Sequence, residues 1–175
     1  MHTETFFSAL RASGPDPGQA ARMILYDRVL GDWTLDVVDH RDDGTIGRDE
    51  GEVHFSWVLE GRAIQDVWIV PRRERRSAQT PREGNRYGTT LRIFDPASGT
   101  WKVSWFNPVS GVTNQLVGRS SGEDIVQDGV REDGTRIRWT FTEITARTFH
   151  WLGESSRDGG ATWRLETEFF ARRIE

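Results

Sequence analysis

The chain has 175 residues, enough for one domain, and 35% of them are hydrophobic while 29% are charged, as in ordinary globular proteins. The formal net charge of −4 provides no basic field for nucleic acid, and the absence of cysteine excludes disulfides and thiolate metal sites. Eight tryptophans and nine phenylalanines are unusual, because each buried aromatic side chain removes ~150–250 Å² from water and a few can dominate a core or line a pocket.

Residues 1–30 are predicted to form a helical segment that precedes a main domain of residues 31–175. Apolar residues at helical spacing predict a first helix within residues 5–12. Asp16, followed by proline and glycine, is typical of the start of a second helix, which Gly31 ends. The first ten residues lack a basic stretch followed by an apolar one, so we expect no secretory signal and a cytoplasmic location.

After Gly31 the hydrophobic period changes to two, which indicates strands. Short turns with Gly and Asp join these strands, and such turns are typical of antiparallel hairpins. A closed barrel or a sandwich would protect the strand edges, and the absence of long crossovers favours the barrel. A cone-shaped α+β fold is the alternative, but no helical period follows Gly31. We therefore predict an all-β, antiparallel, calycin-like barrel of about ten strands with two short N-terminal helices.

A resemblance supports this prediction. Gly31-Asp32-Trp33, at the start of the first strand and after a short helix, resembles the opening of lipocalins and other calycin barrels, in which the Trp closes the base. The stretch Phe55-Ser56-Trp57-Val58-Leu59-Glu60-Gly61-Arg62, followed by Asp66-Val67-Trp68, is similar to uncharacterised bacterial lipocalin-like proteins. The resemblance implies a small-molecule cavity from Gly31 onward, but many activities occur on this fold.

The sequence also departs from the calycin families. The second lipocalin signature, Thr-Asp-Tyr, is absent, and the C-terminal strand lacks the Arg-x-Tyr pair with which fatty-acid-binding proteins hold a carboxylate. The last strand also lacks the histidine that ten-stranded haem-binding barrels use, and His150 lies one strand earlier. We therefore expect no cofactor.

Aromatic residues two apart point to one face of a strand, so they either fill the barrel or line a pocket in it. Polar residues in phase with them would be the fixed polar groups of a ligand pocket. Both phases of strand 63–70 carry apolar residues, so either Gln65 or Asp66 points inward. The predicted function is binding of an apolar or aromatic small molecule by Phe55, Trp57, Gln65, Trp68, Tyr87, Trp105, Asn107, Asn114, Trp139 and Trp151.

The alternative is a cofactor-independent enzyme on the same barrel, such as a cyclase, isomerase or hydratase of natural-product biosynthesis. The catalytic candidates are Asp66, Glu60 and His150, because a carboxyl group buried among apolar residues favours its protonated form and can act as a general acid or base. The sequence has no nucleophile–base constellation and no phosphate loop. A filled interaction domain is the third hypothesis.

Three further motifs have mainly structural interpretations. Ser156-Arg157-Asp158-Gly159-Gly160-Ala161-Thr162-Trp163 matches the Asp box of sialidase propellers, where it is a hairpin turn, and we expect a turn remote from any cavity. Glu52 and His54 share one strand face, but two residues are too few to predict a metal site. The arginine-rich segment 71–86 is either a solvated loop or a lid that attracts an anionic ligand.

The expected partner is an apolar or aromatic small molecule. Neither nucleic acid nor a membrane is expected, because the net charge is negative and no stretch approaches ~18 apolar residues. The sequence allows a homodimer.

Overall fold

Ten antiparallel strands close into one barrel in the computed structural model, which describes residues 2–82 and 84–175. Each strand pairs with the next along the chain, and the first and last strands pair with each other. This topology confirms the predicted calycin-like barrel. The strands are β1 (Gly31–His40), β2 (Ile46–Val58), β3 (Ala63–Val70), β4 (Arg86–Asp95), β5 (Thr100–Asn107), β6 (Val112–Ser121), β7 (Asp124–Val130), β8 (Arg136–Thr142), β9 (Thr148–Ser156) and β10 (Arg164–Arg173).

The N-terminal region contains one α-helix, α1 (His2–Leu10), followed by two 3₁₀ helices, Ala20–Arg22 and Ile24–Val29. A third 3₁₀ helix, Arg73–Arg75, lies in the loop between β3 and β4. The second predicted helix is therefore not an α-helix that starts at Asp16, whose carboxylate instead accepts a hydrogen bond from Gly18 N (3.1 Å).

The spacing of three buried residues explains this difference. Met23, Tyr26 and Val29 are three residues apart and are all almost fully buried. A 3₁₀ helix has three residues per turn, so it points every third side chain in the same direction. These side chains enter one end of the barrel, which we call the closed end. Arg22 and Arg28 fasten the segment there, by donating hydrogen bonds to Pro96 O and Glu123 O of two hairpin turns (2.7 Å each).

The core fills the half of the barrel next to the closed end. Tyr26 makes an edge contact with Trp101 (ring centroids 5.1 Å apart), and Trp33 makes one with Phe149 (4.7 Å). Trp33 Nε1 donates a hydrogen bond to Val29 O (2.9 Å), so this buried indole has its polar atom satisfied. The opposite end, which we call the open end, carries the β1–β2, β3–β4, β5–β6, β7–β8 and β9–β10 connections. Among the described residues, none of the helices has the length and apolar character that crossing a membrane requires.

Candidate functional site

A cavity of about 170 Å³ occupies the half of the barrel next to the open end. Its wall has four tryptophans and one phenylalanine, which all point inward from strands β3, β5, β8, β9 and β10. The remaining wall is polar, with three arginines, one glutamate, two threonines and one glycine. The lining residues are Trp68, Arg86, Thr90, Arg92, Trp105, Arg131, Trp139, Trp151, Gly153, Glu166, Thr167 and Phe169.

The aromatic wall is continuous. Trp151 lies between Phe169 (ring centroids 4.8 Å apart) and Trp139 (5.7 Å), and Trp105 follows Trp139 at 6.4 Å. Trp68 closes the other side, 5.0 Å from Phe169. Trp105 and Trp139 are only partly buried, whereas Trp68 and Trp151 are buried. The rings therefore pack against one another and still leave an accessible aromatic surface.

Glycines make room for two of these rings. A Cβ atom at Gly88 would lie 2.5 Å from Cη2 of Trp105, and one at Gly153 would lie 2.7 Å from Cη2 of Trp151. Real Cβ atoms do not approach other atoms so closely, so a larger residue at either position would displace the indole or the strand. The two glycines therefore set the positions of two cavity walls.

A buried ion pair forms the floor. Arg92 on β4 contacts Asp66 on β3, and both side chains are almost completely buried. Asp66 Oδ1 also accepts a hydrogen bond from Thr90 N (2.9 Å), and Arg92 Nε donates one to Gln127 Oε1 (3.1 Å). Both oxygens of Asp66 are therefore engaged, and a buried charge that would be costly alone is paired and hydrogen-bonded.

Aromatic rings surround the same guanidinium. The Cζ atom of Arg92 lies 4.9 Å from the ring centroid of Tyr26 and 5.6 Å from that of Phe55, within the range of cation–π attraction. Burial raises the pKa of Tyr26 to about 12, against the opposing effect of Arg92. The Tyr26 hydroxyl therefore keeps its proton and donates to Gln127 Oε1 (3.0 Å).

Two ion pairs cross the mouth of the cavity. Arg86 at the start of β4 reaches Asp39 on β1 (Nη2–Oδ1 2.5 Å), although β3 and β2 separate these strands in the barrel. Thr167 Oγ1 donates to the same Asp39 oxygen (2.7 Å). Arg131, in the β7–β8 turn, makes a two-pronged contact with Glu166 on β10 (3.2 and 2.6 Å). Both pairs extend over the interior, so they narrow the entrance.

The charges at the cavity cancel. Burial would raise the pKa of Glu166, but hydrogen bonds from Arg131 and Ser155 outweigh it and hold that pKa below its usual range. Each lining arginine thus has one carboxylate partner: Asp39 for Arg86, Asp66 for Arg92 and Glu166 for Arg131. The cavity is polar at its floor and mouth but carries no excess charge.

The structure brings four of the predicted ligand residues together on the cavity wall: Trp68, Trp105, Trp139 and Trp151. Phe55 and Trp57 also point inward, but they belong to the packed core. Asn107 and Asn114 are buried in the inward phase without lining the cavity. Asn107 instead contacts Asn85 O (3.4 Å) and Val109 N (3.2 Å), so it fixes two loops at the open end.

Gln65 and Tyr87 lie on the outer face of the barrel, so the structure does not support their assignment to the cavity. Gln65 Nε2 donates to Thr89 Oγ1 (2.9 Å), and the Tyr87 ring lies 5.0 Å from the guanidinium of Arg76. Of the two phases that were open for β3, the one that places Asp66 and Trp68 inside is correct. Periodicity could not decide this, because both phases of the strand carry apolar residues.

Two of the three catalytic candidates lie outside the barrel. Glu60 is exposed in the β2–β3 turn, where it pairs with Arg62 (2.7 Å). His150 is on the outer face of β9, with its Nε2 2.8 Å from Glu168 Oε2 and its ring stacked on Phe170. Asp66 is inside, but Arg92 and Thr90 N hold both of its oxygens.

Eight of the twelve lining residues are not among the predicted ligand residues: Arg86, Thr90, Arg92, Arg131, Gly153, Glu166, Thr167 and Phe169. Periodicity does not indicate Arg92, because the phase of β4 that contains it is the polar one, which is expected to face solvent. Periodicity does not indicate Arg131 either, since it lies in a turn and its partner Glu166 is 35 residues away.

The arginines of segment 71–86 do not form a free cationic lid. Arg73 binds Glu52 (2.8 Å), and Arg75 lies 3.4 Å from Glu50, so both pair with the outer face of β2. The side chain of Arg76 caps carbonyl groups of its own loop. Among the described residues of this segment, Arg73 and Arg75 are held on the barrel wall and Arg86 alone lines the cavity.

The Asp-box prediction of a hairpin turn is confirmed. Asp158 accepts hydrogen bonds from Thr162 N (2.9 Å) and Ser156 Oγ (2.7 Å), and Gly160 has φ of 98°. The hydrogen bonds from Thr162 and Ser156 hold the pKa of Asp158 far below its usual range. The turn stands at the open end, yet its residues do not line the cavity.

At Glu52 and His54, the imidazole lies between two carboxylates, with Nδ1 2.6 Å from Asp32 Oδ1 and Nε2 3.0 Å from Glu52 Oε2. Glu52 is also held by Arg73. Within residues 2–82 and 84–175, no group of three or more potential metal ligands has the arrangement of a metal site.

Comparisons with known proteins find likeness in structure alone. No protein-family model matches the chain, and a search of curated proteins finds no significant match. The S-type phycobiliprotein lyase CPES from Guillardia theta is similar, with a TM-score of 0.56 and 9% identity over 86% of this chain and 90% of that one. Rv2717c from M. tuberculosis has a TM-score of 0.55 and 13% identity over 92% of this chain and 99% of that one. At such identities the likeness concerns the fold.

Proposed function

We propose that this chain, which has a lipocalin-like calycin fold, binds a small, uncharged aromatic molecule in the cavity at its open end. The observation that carries the proposal is the continuous wall of Trp68, Trp105, Trp139 and Trp151 around an unfilled space. A barrel whose aromatic residues served only as core would pack this space closed, because protein interiors contain few voids larger than water.

The volume limits the size of the ligand. An engineered apolar cavity of ~150 Å³ is large enough to bind benzene. The cavity here has about 170 Å³, so it takes one ring or two fused rings, and a larger ligand would extend through the mouth between Arg86 and Arg131. Flat molecules fit best, because the wall consists of ring faces and edges.

The paired charges favour an uncharged ligand. A carboxylate that approached Arg92 would have to compete with Asp66 inside the buried floor, and a cation would have to compete with Arg92. Burying a charge without its own partner is costly, so either ion would lose affinity. An uncharged ligand leaves all three ion pairs intact.

The floor nevertheless provides one polar contact. Nε and Nη1 of Arg92 are engaged by Gln127 and Asp66, whereas Nη2 has no acceptor among the described residues. A carbonyl, hydroxyl or ether oxygen at the inner end of the ligand would accept a hydrogen bond from it. The ligand class is therefore a flat aromatic molecule with one oxygen acceptor.

Isothermal titration calorimetry with 2-naphthol tests the binding. We expect a Kd of ~10–100 μM, which is roughly 0.5–0.6 kcal/mol per non-hydrogen atom and within the usual range for small ligands. Trp105→Ala removes a cavity wall and should weaken binding at least ~10-fold, because an aromatic contact and its buried area are lost. Trp163→Ala is the matched control. Trp163 lies in the β9–β10 turn, where its ring stacks on Arg138 of β8, and it does not line the cavity. Absence of binding by the unmodified protein, or equal losses in both variants, would contradict the proposal.

Charged analogues test the ligand class separately. Naphthalene-2-carboxylate and 2-(aminomethyl)naphthalene have the same ring system, with one negative and one positive charge. We expect both to bind at least ~10-fold more weakly than 2-naphthol. Tighter binding of the carboxylate would overturn the preference for an uncharged ligand and leave the cavity itself as the binding site.

A further inference from the structure

One part of the outer surface of the barrel carries little charge. We call the central outward residues of β3, β4, β5 and β6 the neutral face: odd positions 63–69, 87–93 and 113–117, and even positions 102–106. Lys102 is its one charged residue, and the outward charged residues at the ends of β4 and β6, Asp95 and Arg119, border the face and pair with Lys102 and Asp128. Outward residues of the other strands form ion pairs instead, such as Arg138 with Asp128 and Arg172 with Asp36.

The hydrophobic pattern of β4 is inverted. Over residues 86–93 its inward side chains are Arg86, Gly88, Thr90 and Arg92, whereas Tyr87, Leu91 and Ile93 point outward, and only Phe94 at the end of the strand packs inward, on Trp101. A strand with one solvated face normally has the opposite arrangement, apolar inside and polar outside. The interior of the barrel does not bury the outward apolar side chains of β4. The inversion therefore indicates that the surface of another molecule buries them.

The exposed apolar side chains of the neutral face lie close together. Phe106 on β5 is opposite Thr89 on β4, which is itself opposite Val67 on β3, so these side chains form one row across three strands. Ile93 and Val117 flank Lys102 in another row. Val67, Ile93, Phe106 and Val117 all remain exposed. Contiguous apolar patches of this kind mark interaction sites.

We propose that the neutral face is the interface of a homodimer, in which it packs against the same face of a second copy. In a two-fold dimer one surface meets itself, so a patch with several like charges would repel its own copy, whereas an uncharged patch does not. Strand addition is not available to this barrel, because β1 and β10 close the ladder and leave no free edge. Assembly must therefore use a side-chain face.

The size of the face shows what else the interface must contain. Four strands ~4.8 Å apart, with five to seven residues each at ~3.3 Å per residue, cover on the order of 400 Å². Two copies then bury about 800 Å² through the strands alone, so the interface reaches the ~1,000 Å² of a specific contact only with further area from helix α1.

Helix α1 extends the interface. Phe6 and Phe7 are 62% and 58% exposed, so this apolar pair does not pack on its own barrel. The helix ends beside the neutral face, where Ala9, Leu59, Ala63 and Ile93 line a shallow groove together with the ion pair of Glu60 and Arg62. A helix of nine residues is marginal in water without packing, and the second copy supplies a surface for Phe6 and Phe7.

Sedimentation velocity on the unmodified protein and two variants tests the proposal. Phe106→Asp places a charge in the neutral face, and Phe170→Asp is the matched control on the outer face of β10, because the two side chains are 41% and 40% exposed. We expect a dimer for the unmodified chain and for Phe170→Asp, and at least a 100-fold higher dimer Kd for Phe106→Asp. Near-UV circular dichroism verifies that each variant is folded.

A double variant tests the helix: Phe6→Ser with Phe7→Ser should weaken the dimer about 10-fold and leave the folded spectrum unchanged. A monomeric unmodified protein at ~100 μM, which is the result expected if the face binds a different protein, would overturn the proposal. Equal dissociation of Phe106→Asp and Phe170→Asp would overturn it too.

Discussion

The guanidinium carbon of Arg173 lies 4.0 Å from the ring centroid of Trp33 and covers its face at the closed end of the barrel. The same guanidinium donates hydrogen bonds to Leu30 O (2.6 Å), Arg28 O (3.1 Å) and Ala146 O (2.7 Å). One side chain on β10 therefore joins β1, the 3₁₀ segment and the β8–β9 turn. The Arg173 guanidinium and the buried Trp33 ring therefore close the base of the barrel together.

Arg173→Lys should lower the free energy of unfolding by about 2 kcal/mol. An ammonium group cannot reach three carbonyl groups in different directions while it stacks on an indole, and hydrogen bonds of charged groups contribute ~1.5–3 kcal/mol. Urea unfolding monitored by fluorescence measures the change. Arg147→Lys, at an exposed arginine of the same end, should have almost no effect, and a comparable loss there would contradict this assignment.

The floor of the cavity should respond more strongly to one substitution than to two. Asp66→Ala leaves Arg92 buried without its carboxylate and should cost ~3–5 kcal/mol. Asp66→Leu combined with Arg92→Leu removes both charges and should cost less than Asp66→Ala alone, while Tyr26 and Gln127 remain paired with each other. Chemical denaturation of the two variants gives the comparison. A double variant that is less stable than Asp66→Ala would show that the pair stabilises the barrel beyond mutual neutralisation.

Gly88→Ala should close part of the cavity. The new methyl group would lie 2.5 Å from Cη2 of Trp105 and 2.4 Å from Phe106 O, so the indole and the strand pair must shift. We expect a stability loss of ~1–3 kcal/mol and at least ~10-fold weaker binding of 2-naphthol. Gly14→Ala, where no atom lies within 4 Å of the added methyl, is the control. Unchanged affinity in Gly88→Ala would remove Trp105 from the site.

Glu52 should make stability depend on pH in the acid range. Hydrogen bonds from Arg73 lower the pKa of Glu52 from 4.5 to about 2, against the effect of burial. A carboxylate with a lowered pKa stabilises the fold at any pH above its unfolded value, and this contribution is lost as the pH falls from about 4.5 towards 2.

Glu52→Gln should therefore be less stable than the unmodified chain at pH 7, by up to about 1 kcal/mol because Arg73 is exposed to solvent. The difference should shrink at pH 3. Urea midpoints at both pH values measure it, with Glu60→Gln in the exposed β2–β3 turn as the control. A difference that stays constant between pH 7 and pH 3 would contradict the role of the Glu52 charge.

The sequence could predict the strands and most inward faces because a period of two depends on neighbours in the chain. Trp139 with Phe141 and Phe149 with Trp151 all point inward as their spacing indicates. The floor and the mouth could not be predicted in the same way. Arg92 meets Asp66 on the neighbouring strand and Arg86 meets Asp39 across the barrel, so these contacts exist only after the strands are in register.

The assignment of Tyr87 to the ligand site was wrong for a related reason. Over residues 86–93 of β4 the apolar side chains face out and the arginines face in, so Tyr87 lies on the outer face. Periodicity identifies which residues share a face, but it does not tell which face is buried when a second buried surface exists. The inversion that misled the site prediction is the feature on which the proposed dimer rests.

The pairing of β1 with β10 has a consequence for how the molecule folds. Trp33 is aligned with Arg173, 140 residues later in the chain, and bringing such distant segments together costs on the order of 4 kcal/mol of chain entropy. Topologies dominated by distant pairings fold in milliseconds to seconds. We expect the final closure to limit the folding rate, so a nascent chain would complete its cavity only after its last strand has left the ribosome.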